Sequence, residues 1–360
     1  MLKQVKVSMQ VNSASEILRV LERNLRDNPK FLIAGLGVTD PKGVFGTTLG
    51  LEEKYGSKRV LETPTSENAM TGVGVGIAIS GYRPLMIHQR LDFFLLAMDQ
   101  LVNSAAKWHF MFGSQQSVPL TIRLITGRGW GQGPTHSQNL HSWFSHIPGL
   151  KVVMPSFASE IAGLLQASID DPNPVVFIED RWIHNLSVEA NDSRIDQSIQ
   201  LGKANICHSG NDITVVSSGY MSVEALKAVS FLAKHNVSAE LIDLRTIKPL
   251  DLDTILYSVK KTKNLIVVDS GNEIASFGKE IIANVAMAID VPLANPPRLV
   301  SLPDVPEPTS HGVIGEYRVS ATKIALSIIE ILCVDTPHDL IKKLTPFKED
   351  VPDSSFTGPF

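Results

Sequence analysis

The chain has 360 residues, of which 43% are hydrophobic and 19% charged, enough for two ordinary domains with substantial cores. Its formal net charge of −4 excludes a general nucleic-acid binder, whose footprint is basic. Two distant cysteines, Cys207 and Cys333, exclude a disulfide framework and a thiolate metal site, and no apolar run approaches the ~20 residues of a membrane span.

The first residues, Met1 to Lys6, lack the apolar stretch of a secretory signal, so the expected compartment is the cytoplasm. Ser13-Ala14-Ser15-Glu16 has the spacing of a capping box, and Ile17, Leu18, Val20, Leu21 and Leu25 then follow one helical face. Residues 31–38 read as a buried strand, 43–48 as a loop and 49–55 as a short helix. A strand at 59–62 is stopped by Pro64, and Ser66 is placed to cap a helix running from Glu67 to about Ser80. That helix is almost wholly small and apolar, with Gly72, Gly74 and Gly76 in its interior. Each interior glycine costs roughly 1 kcal/mol against alanine, which makes sense where a backbone or a flat ligand must approach closely. The helix is therefore expected to be buried, with Glu67 at its mouth. The plain alternative for Glu67 is an acid complementing the positive end of a helix.

A strand follows at 84–87, a long helix from Asp92 to Met111, and a strand at 119–126 that opens into the glycine-rich segment 127–133 and Thr135-His136-Ser137-Gln138. Strands at 150–154 and 175–179 around a helix at 159–169 complete the first half. The alternation restarts with strands at 213–217, 239–244, 265–269 and 299–302 and helices between and after them. Continuously apolar strands alternating with helices imply an α/β protein with parallel sheets covered on both faces. The expected division is a first domain at 1–185, a polar linker at 186–202, a second domain at 203–345 and a tail at 346–360.

The loop at 127–133 has Gln132 where a dinucleotide fingerprint needs its third glycine, and no phosphate-loop lysine follows. It is either a long flexible loop or a device presenting His136 at the C-terminal end of a parallel strand, where α/β ligands bind. His136, His141 and His146 recur every five residues and do not stack on one helical face, which disfavours a metal cluster. No nucleophile elbow of the Gly-x-Ser-x-Gly type is present. Asp170, Asp171 and Asn173 could ligate a hard cation or simply form a turn.

In combination these stretches resemble the β subunit of the thiamine-diphosphate-dependent 2-oxoacid dehydrogenases, the E1 components of the pyruvate, branched-chain and acetoin enzymes. The resemblance rests on Thr63-Pro64-Thr65-Ser66-Glu67 with its glycine-studded helix, Gly81-Tyr82-Arg83-Pro84, residues 97–107, Thr135-His136-Ser137-Gln138, Ile147-Pro148-Gly149-Leu150, residues 242–251 and Pro303-Asp304-Val305-Pro306. It implies a transketolase-like pyrimidine-binding domain followed by a transketolase C-terminal-like domain. It implies an α2β2 heterotetramer with thiamine diphosphate at each α/β interface, Mg2+ held mainly by the α subunit, and acyl transfer to the lipoyl group of an E2 acyltransferase. By this resemblance Glu67 contacts N1′ of the aminopyrimidine and activates the cofactor through a relayed proton transfer. Phe93 packs on the pyrimidine, and His136 handles the substrate or lipoyl group. Leu120, Ser168, Ile169, Asp171 and Asn173 fall where some relatives hold K+ largely with backbone carbonyls. The superfamily's diphosphate–Mg2+ motif, Gly-Asp-Gly with a later Asn, is absent from this sequence and is expected on the partner.

Departures from the family pattern include Ile87-His88 in place of Glu-Phe and Leu96 in place of Gln. They leave a specialised decarboxylase or acyloin-cleaving enzyme, the C-terminal subunit of a split transketolase, and a non-catalytic pairing subunit as alternatives. The 2-oxoacid itself is not written in the sequence.

Overall fold

The structure is a computed structural model, and it describes residues 10–129, 131–189 and 197–334 together with 341, 344 and 351. The expected tail, apart from residue 351, and the middle of the expected linker, residues 190–196, lie outside the described residues. The first half runs β1 (Gln10–Asn12), α1 (Ser13–Asp27), β2 (Phe31–Gly35), α2 (Leu51–Tyr55), β3 (Val60–Glu62), α3 (Glu67–Ile79), β4 (Arg83–His88), α4 (Leu91–Phe94), α5 (Ala106–Met111), β5 (Thr121–Thr126), α6 (His141–His146), β6 (Lys151–Val153), α7 (Ala158–Asp170), β7 (Val175–Asp180) and β8 (Ser187–Glu189). The second half runs β9 (Asn205–His208), β10 (Ile213–Ser217), α8 (Tyr220–Ala233), β11 (Ala239–Asp243), β12 (Thr246–Lys248), α9 (Leu252–Thr262), β13 (Leu265–Asn272), α10 (Phe277–Ala288), β14 (Arg298–Leu302), α11 (His311–Tyr317) and α12 (Ala321–Leu332).

Two main sheets result. One has the order β12-β6-β7-β5-β4-β2-β3 and the other β14-β13-β10-β11-β9. Both are parallel except at one edge each, where β12 and β9 run antiparallel to their neighbours. Alternate residues of the central strands face opposite sides: Val175 and Phe177 enter one apolar cluster, Val176 and Ile178 the other. Each cluster draws residues from both halves of the chain. That is the pattern of strands covered on both faces.

Several local expectations change. The capping box of α1 is formed by Asn12 and Ser15, one residue earlier than the Ser13–Glu16 spacing suggests, and Glu16 instead pairs with Arg19. Ser66 occupies the cap position of α3 without a side-chain cap hydrogen bond. The single helix expected over 92–111 is broken into α4, a 3-10 turn at Leu95–Ala97, a π-helical turn at Gln100–Ala105 and α5. The expected linker contains β8, which pairs antiparallel with β1 and ties the chain's two distant segments together. The short strands β1, β8 and β9 and the helices α6 and α11 carry too few periodic residues to be read from pattern.

Helix α3 is not wholly buried. Thr71, Gly74, Val75 and Ala78 face the protein, whereas Val73 and Ile79 are exposed. A Cβ at Gly74 would lie 2.2 Å from the Sδ of Met86, and one at Gly76 would meet nothing within 4 Å. The glycine run thus serves two faces, one already packed and one bare.

Candidate active site

The C-terminal ends of the parallel strands β2, β4 and β5 converge with the start of α3, which is where ligands enter open α/β sheets. The local reason for Glu67's position is Glu62 at the end of β3. Its carboxylate accepts hydrogen bonds from Gly37 N (2.6 Å) and from Thr39 N and Oγ1 (3.2 and 3.0 Å), fixing the loop that borders α3. Glu67 then lines a narrow slot with Gly35, Leu36, Thr63, Pro64, Met86, His88 and Phe93.

Phe93 forms the wall between this slot and a second, wider cavity. Its ring meets that of His136 edge-on, with centroids 5.4 Å apart. The wider cavity, about 380 Å³, is lined by Phe45, Gln89, Arg90, Phe93, Gln132 and His136. Glu67, Phe93 and His136, far apart in sequence, therefore line two adjoining cavities that share Phe93 and Gln89. His136 Nδ1 lies 2.9 Å from Thr135 Oγ1, which orients the ring and leaves Nε2 as the nitrogen available to a ligand.

The loop carrying His136 is pinned rather than flexible. Gly127, Gly131 and Gly133 adopt positive φ, and a Cβ at Gly127 would lie 2.6 Å from Asp180 Oδ1. Asp92 Oδ1 accepts hydrogen bonds from Gln138 N (3.3 Å) and Nε2 (2.8 Å), locking the segment after His136 to the start of α4 and so to Phe93. Beneath it, α6 is fastened to the second half by His141 Nε2 and Asp269 Oδ1, 2.9 Å apart. Burial pushes the Asp269 carboxyl up, but His141 and the backbone amides of Gly271 and Gly278 more than offset this and hold it below its ordinary range. His141 is thus a strut, and among the described residues no group of histidine, cysteine and acidic side chains could hold a metal ion.

Four residues at or beneath the site escaped the sequence reading. His88 is buried, and its Nε2 has no hydrogen-bond partner. Burial pushes its pKa down to about 4, so the imidazole is neutral at physiological pH. Arg90 is buried beside the wider cavity and donates from Nη2 to Gln132 Oε1 at 3.0 Å. Beneath the site, Arg123 Nε and Glu179 Oε1 form a fully buried pair at 2.6 Å, joined by Thr47 and by His184 Nε2 at 3.0 Å. Burial pushes the Glu179 carboxyl up, but Arg123 and His184 together take it down to about 2. His88 and Arg90 were detectable only as polar residues in an otherwise apolar strand end.

The cation site expected at the C-terminal end of α7 has other occupants. Arg83 Nη1 donates to the carbonyls of Ile169 (2.6 Å) and Asp171 (3.2 Å), and Lys151 pairs with the Asp171 carboxylate. Thr121 Oγ1 donates to the Ser168 carbonyl, Val175 N to the Leu120 carbonyl, and Asn173 N to Asp171 Oδ1.

Two α/β halves with an acid, an aromatic and a histidine lining adjoining cavities define the transketolase-like class. Residues 10–184 match the family "Transketolase, pyrimidine binding domain" and residues 202–324 "Transketolase, C-terminal domain". The chain is 38% identical over 320 residues to the pyruvate dehydrogenase E1 component subunit beta of Rhizobium meliloti, covering 88% of this chain and 67% of that protein. It is 37% identical to the same subunit of Rickettsia bellii, with 88% and 95% covered. It is 39% identical to the acetoin:2,6-dichlorophenolindophenol oxidoreductase subunit beta of Cupriavidus necator, with 82% and 87% covered. A solved split-gene transketolase, described as an inactive beta4 tetramer, shares the fold with a TM-score of 0.73 at 16% identity, covering 91% of this chain and 99% of that one. The chain belongs to the family of β subunits of the thiamine-diphosphate-dependent 2-oxoacid dehydrogenase E1 components. No helix among the described residues is long and apolar enough to cross a membrane.

Proposed function

We propose that this chain is the catalytic β subunit of an E1 enzyme that decarboxylates a 2-oxoacid and passes the acyl group to a lipoyl acceptor. The observation that carries the reading is the pair of adjoining cavities in which Phe93 stands between Glu67 and His136. The residues present fit one wall of a pyrimidine site. The slot joins an acid, an aromatic face and an orphaned neutral imidazole. Its volume of about 30 Å³ is room for a water molecule or two, so this chain by itself does not enclose a pyrimidine ring.

Thiamine diphosphate, when bound, supplies the electron sink for the breaking carbon–carbon bond. Glu67 would hold the pyrimidine and share a proton with it, Phe93 would fix the ring's plane, and His136 would hold or deliver a proton to the reacting group. Diphosphate and Mg2+ belong to the α partner, because this sequence lacks their motif. The exposed apolar positions Leu36 at the slot, Val73 and Ile79 on α3, Tyr82 just after it and Leu96 suit that partner in an α2β2 assembly. Potassium stays outside the proposal, since Arg83 already brings positive charge to the carbonyls of Ile169 and Asp171. We take 1–185 and 203–345 as the two domains and the cytoplasm as the compartment.

Glu67→Gln in the assembled complex is expected to lower 2-oxoacid-dependent acceptor reduction by at least about 100-fold, the low end of what a positioned proton-transfer group contributes. Near-normal turnover would overturn the assignment. An acyloin-cleaving activity is the second reading, favoured by the 39% identity to the acetoin-oxidising subunit. Acceptor reduction with acetoin but with no 2-oxoacid would establish it instead.

A further inference from the structure

Among the described residues Arg90 is the one arginine or lysine on the wall of the cavity that holds His136 and Phe93. Its side chain is 95% buried by residue exposure of 5%. One end of the guanidinium is held by Gln132, and its plane lies over the Phe45 ring at 5.9 Å from the centroid. These two contacts fix its orientation, yet neither neutralises it. Nη1 has no hydrogen-bond partner. Asp92 and Asp180 are near enough to act on its charge, but among the described residues no carboxylate stands within ion-pair distance of it. Asp92 Oδ1 is taken by Gln138 and Asp180 Oδ1 by Trp182 N, while Asp92 Oδ2, like Arg90 Nη1, has no hydrogen-bond partner. A buried cation whose nearest carboxylates stand off beyond ion-pair distance is only partly compensated, which is costly for a fold. Its retention at a cavity wall calls for an anion in the cavity.

We propose that Arg90 is a specificity-determining residue that binds a second, distal carboxylate of the substrate, so that the preferred substrates are dicarboxylic 2-oxoacids. This rests on the 2-oxoacid reading above. The reacting carboxylate is a poor occupant: it leaves as neutral CO2, so a cation clamped on it would stabilise the reactant more than the transition state. A carboxylate at the far end of the substrate keeps its charge throughout. Gln132, whose Oε1 is held by Arg90, has its amide nitrogen left as a further donor for such a group, whereas an alkyl tail would leave Arg90 Nη1 unmet.

The test uses the assembled complex with its α partner, thiamine diphosphate, Mg2+ and an artificial electron acceptor. The substrates are 2-oxoglutarate and 2-oxopentanoate, equal in carbon number and different only in the distal carboxylate. The diacid is expected to have the higher kcat/KM, and Arg90→Met to lower that ratio by about 10- to 100-fold, as for one lost hydrogen bond to a charged group. Calorimetry in the absence of cofactor gives a second readout: glutarate is expected to bind more tightly than pentanoate, and Arg90→Met to abolish the difference. Arg90→Gln, which keeps a polar but shorter and uncharged side chain, serves if the methionine variant does not fold. Equal turnover of the two substrates, or an unchanged ratio in either variant, overturns the role of Arg90 alone. Absence of turnover with every 2-oxoacid, with Glu67→Gln indistinguishable from the parent, overturns the underlying reading instead.

Discussion

At the scale of single residues, two buried titratable groups behave oppositely. Glu179 is compensated from both sides by Arg123 and His184. Glu179→Gln would leave the Arg123 charge buried without its partner, and a loss of about 3–5 kcal/mol of stability is expected in denaturant titrations of the folded complex. His88 has no such compensation. Its folded pKa of about 4 lies below the ordinary value of 6.5, so the unfolded chain binds a proton that the folded chain refuses. The stability tied to neutral His88 is present above pH 6.5 and is lost as pH falls towards 4. His88→Phe is expected to flatten that portion of the melting-temperature profile, to raise the midpoint of the cofactor-free complex and to shrink the rise on adding thiamine diphosphate. A merely structural histidine would move both midpoints equally. Glu67 and His136 were legible in the sequence because each sits in a local block with its own signature. His88 and Arg90 were not, because a strand end carries no rule about which polar atom will lack a partner.

Elements show where the meaning of a pattern depends on what lies outside the chain. The glycines of α3 were legible as a request for close approach, but not what approaches. Gly74 admits Met86 of the same chain, and Gly72 admits Gln100, whose Oε1 would lie 3.1 Å from a Cβ there. The widened π-helical turn at Gln100–Ala105 brings that side chain to α3, and such turns escape sequence pattern because they differ from an α-helix by one hydrogen-bond step. Gly76 opens onto nothing. Two alanine substitutions therefore separate the two faces. Gly74→Ala is expected to destabilise the chain by about 1 kcal/mol net, overpacking against Met86 outweighing the gain in helix propensity. Gly76→Ala is expected to stabilise the isolated chain by about 0.5–1 kcal/mol and to weaken its association with the α partner. Unfolding of the β chain alone, followed by a titration of α into β, reads both effects. Unimpaired association of the Gly76 variant would show that the bare face is not the one the partner covers.

For the whole molecule, the alternation of apolar strands and helices revealed the two-sheet plan, because continuous buried strands leave a long signal. The polar links between the halves did not, since each is a single contact between residues far apart in sequence. Arg245 binds Glu160 across the halves, with Asn205 Nδ2 donating to Glu160 Oε1 at 2.9 Å. Beside them Asp243 accepts from Ser156 (2.7 Å) and Ser222 (2.9 Å). Burial first, and Glu160 second, push the Asp243 carboxyl up to about 7. The folded chain therefore holds a proton that the unfolded chain releases, and stability falls as pH rises from the ordinary carboxyl range towards 7. Asp243→Asn is expected to remove that slope, so the melting midpoint of the variant minus that of the parent should grow between pH 5 and 7. A constant difference would show that Asp243 is ionised throughout. One further link concerns how the protein could be taken apart. Strand β12 belongs by sequence to the second half, yet it forms the edge of the first half's sheet, hydrogen-bonded to β6. A fragment ending near residue 185 would expose the β6 edge as a row of unpaired amides and carbonyls, the template on which strands of neighbouring molecules add. Recombining these halves with those of relatives would have to exchange residues 246–248 along with the first half, so the unit that can be inherited intact is not the unit that the linker marks.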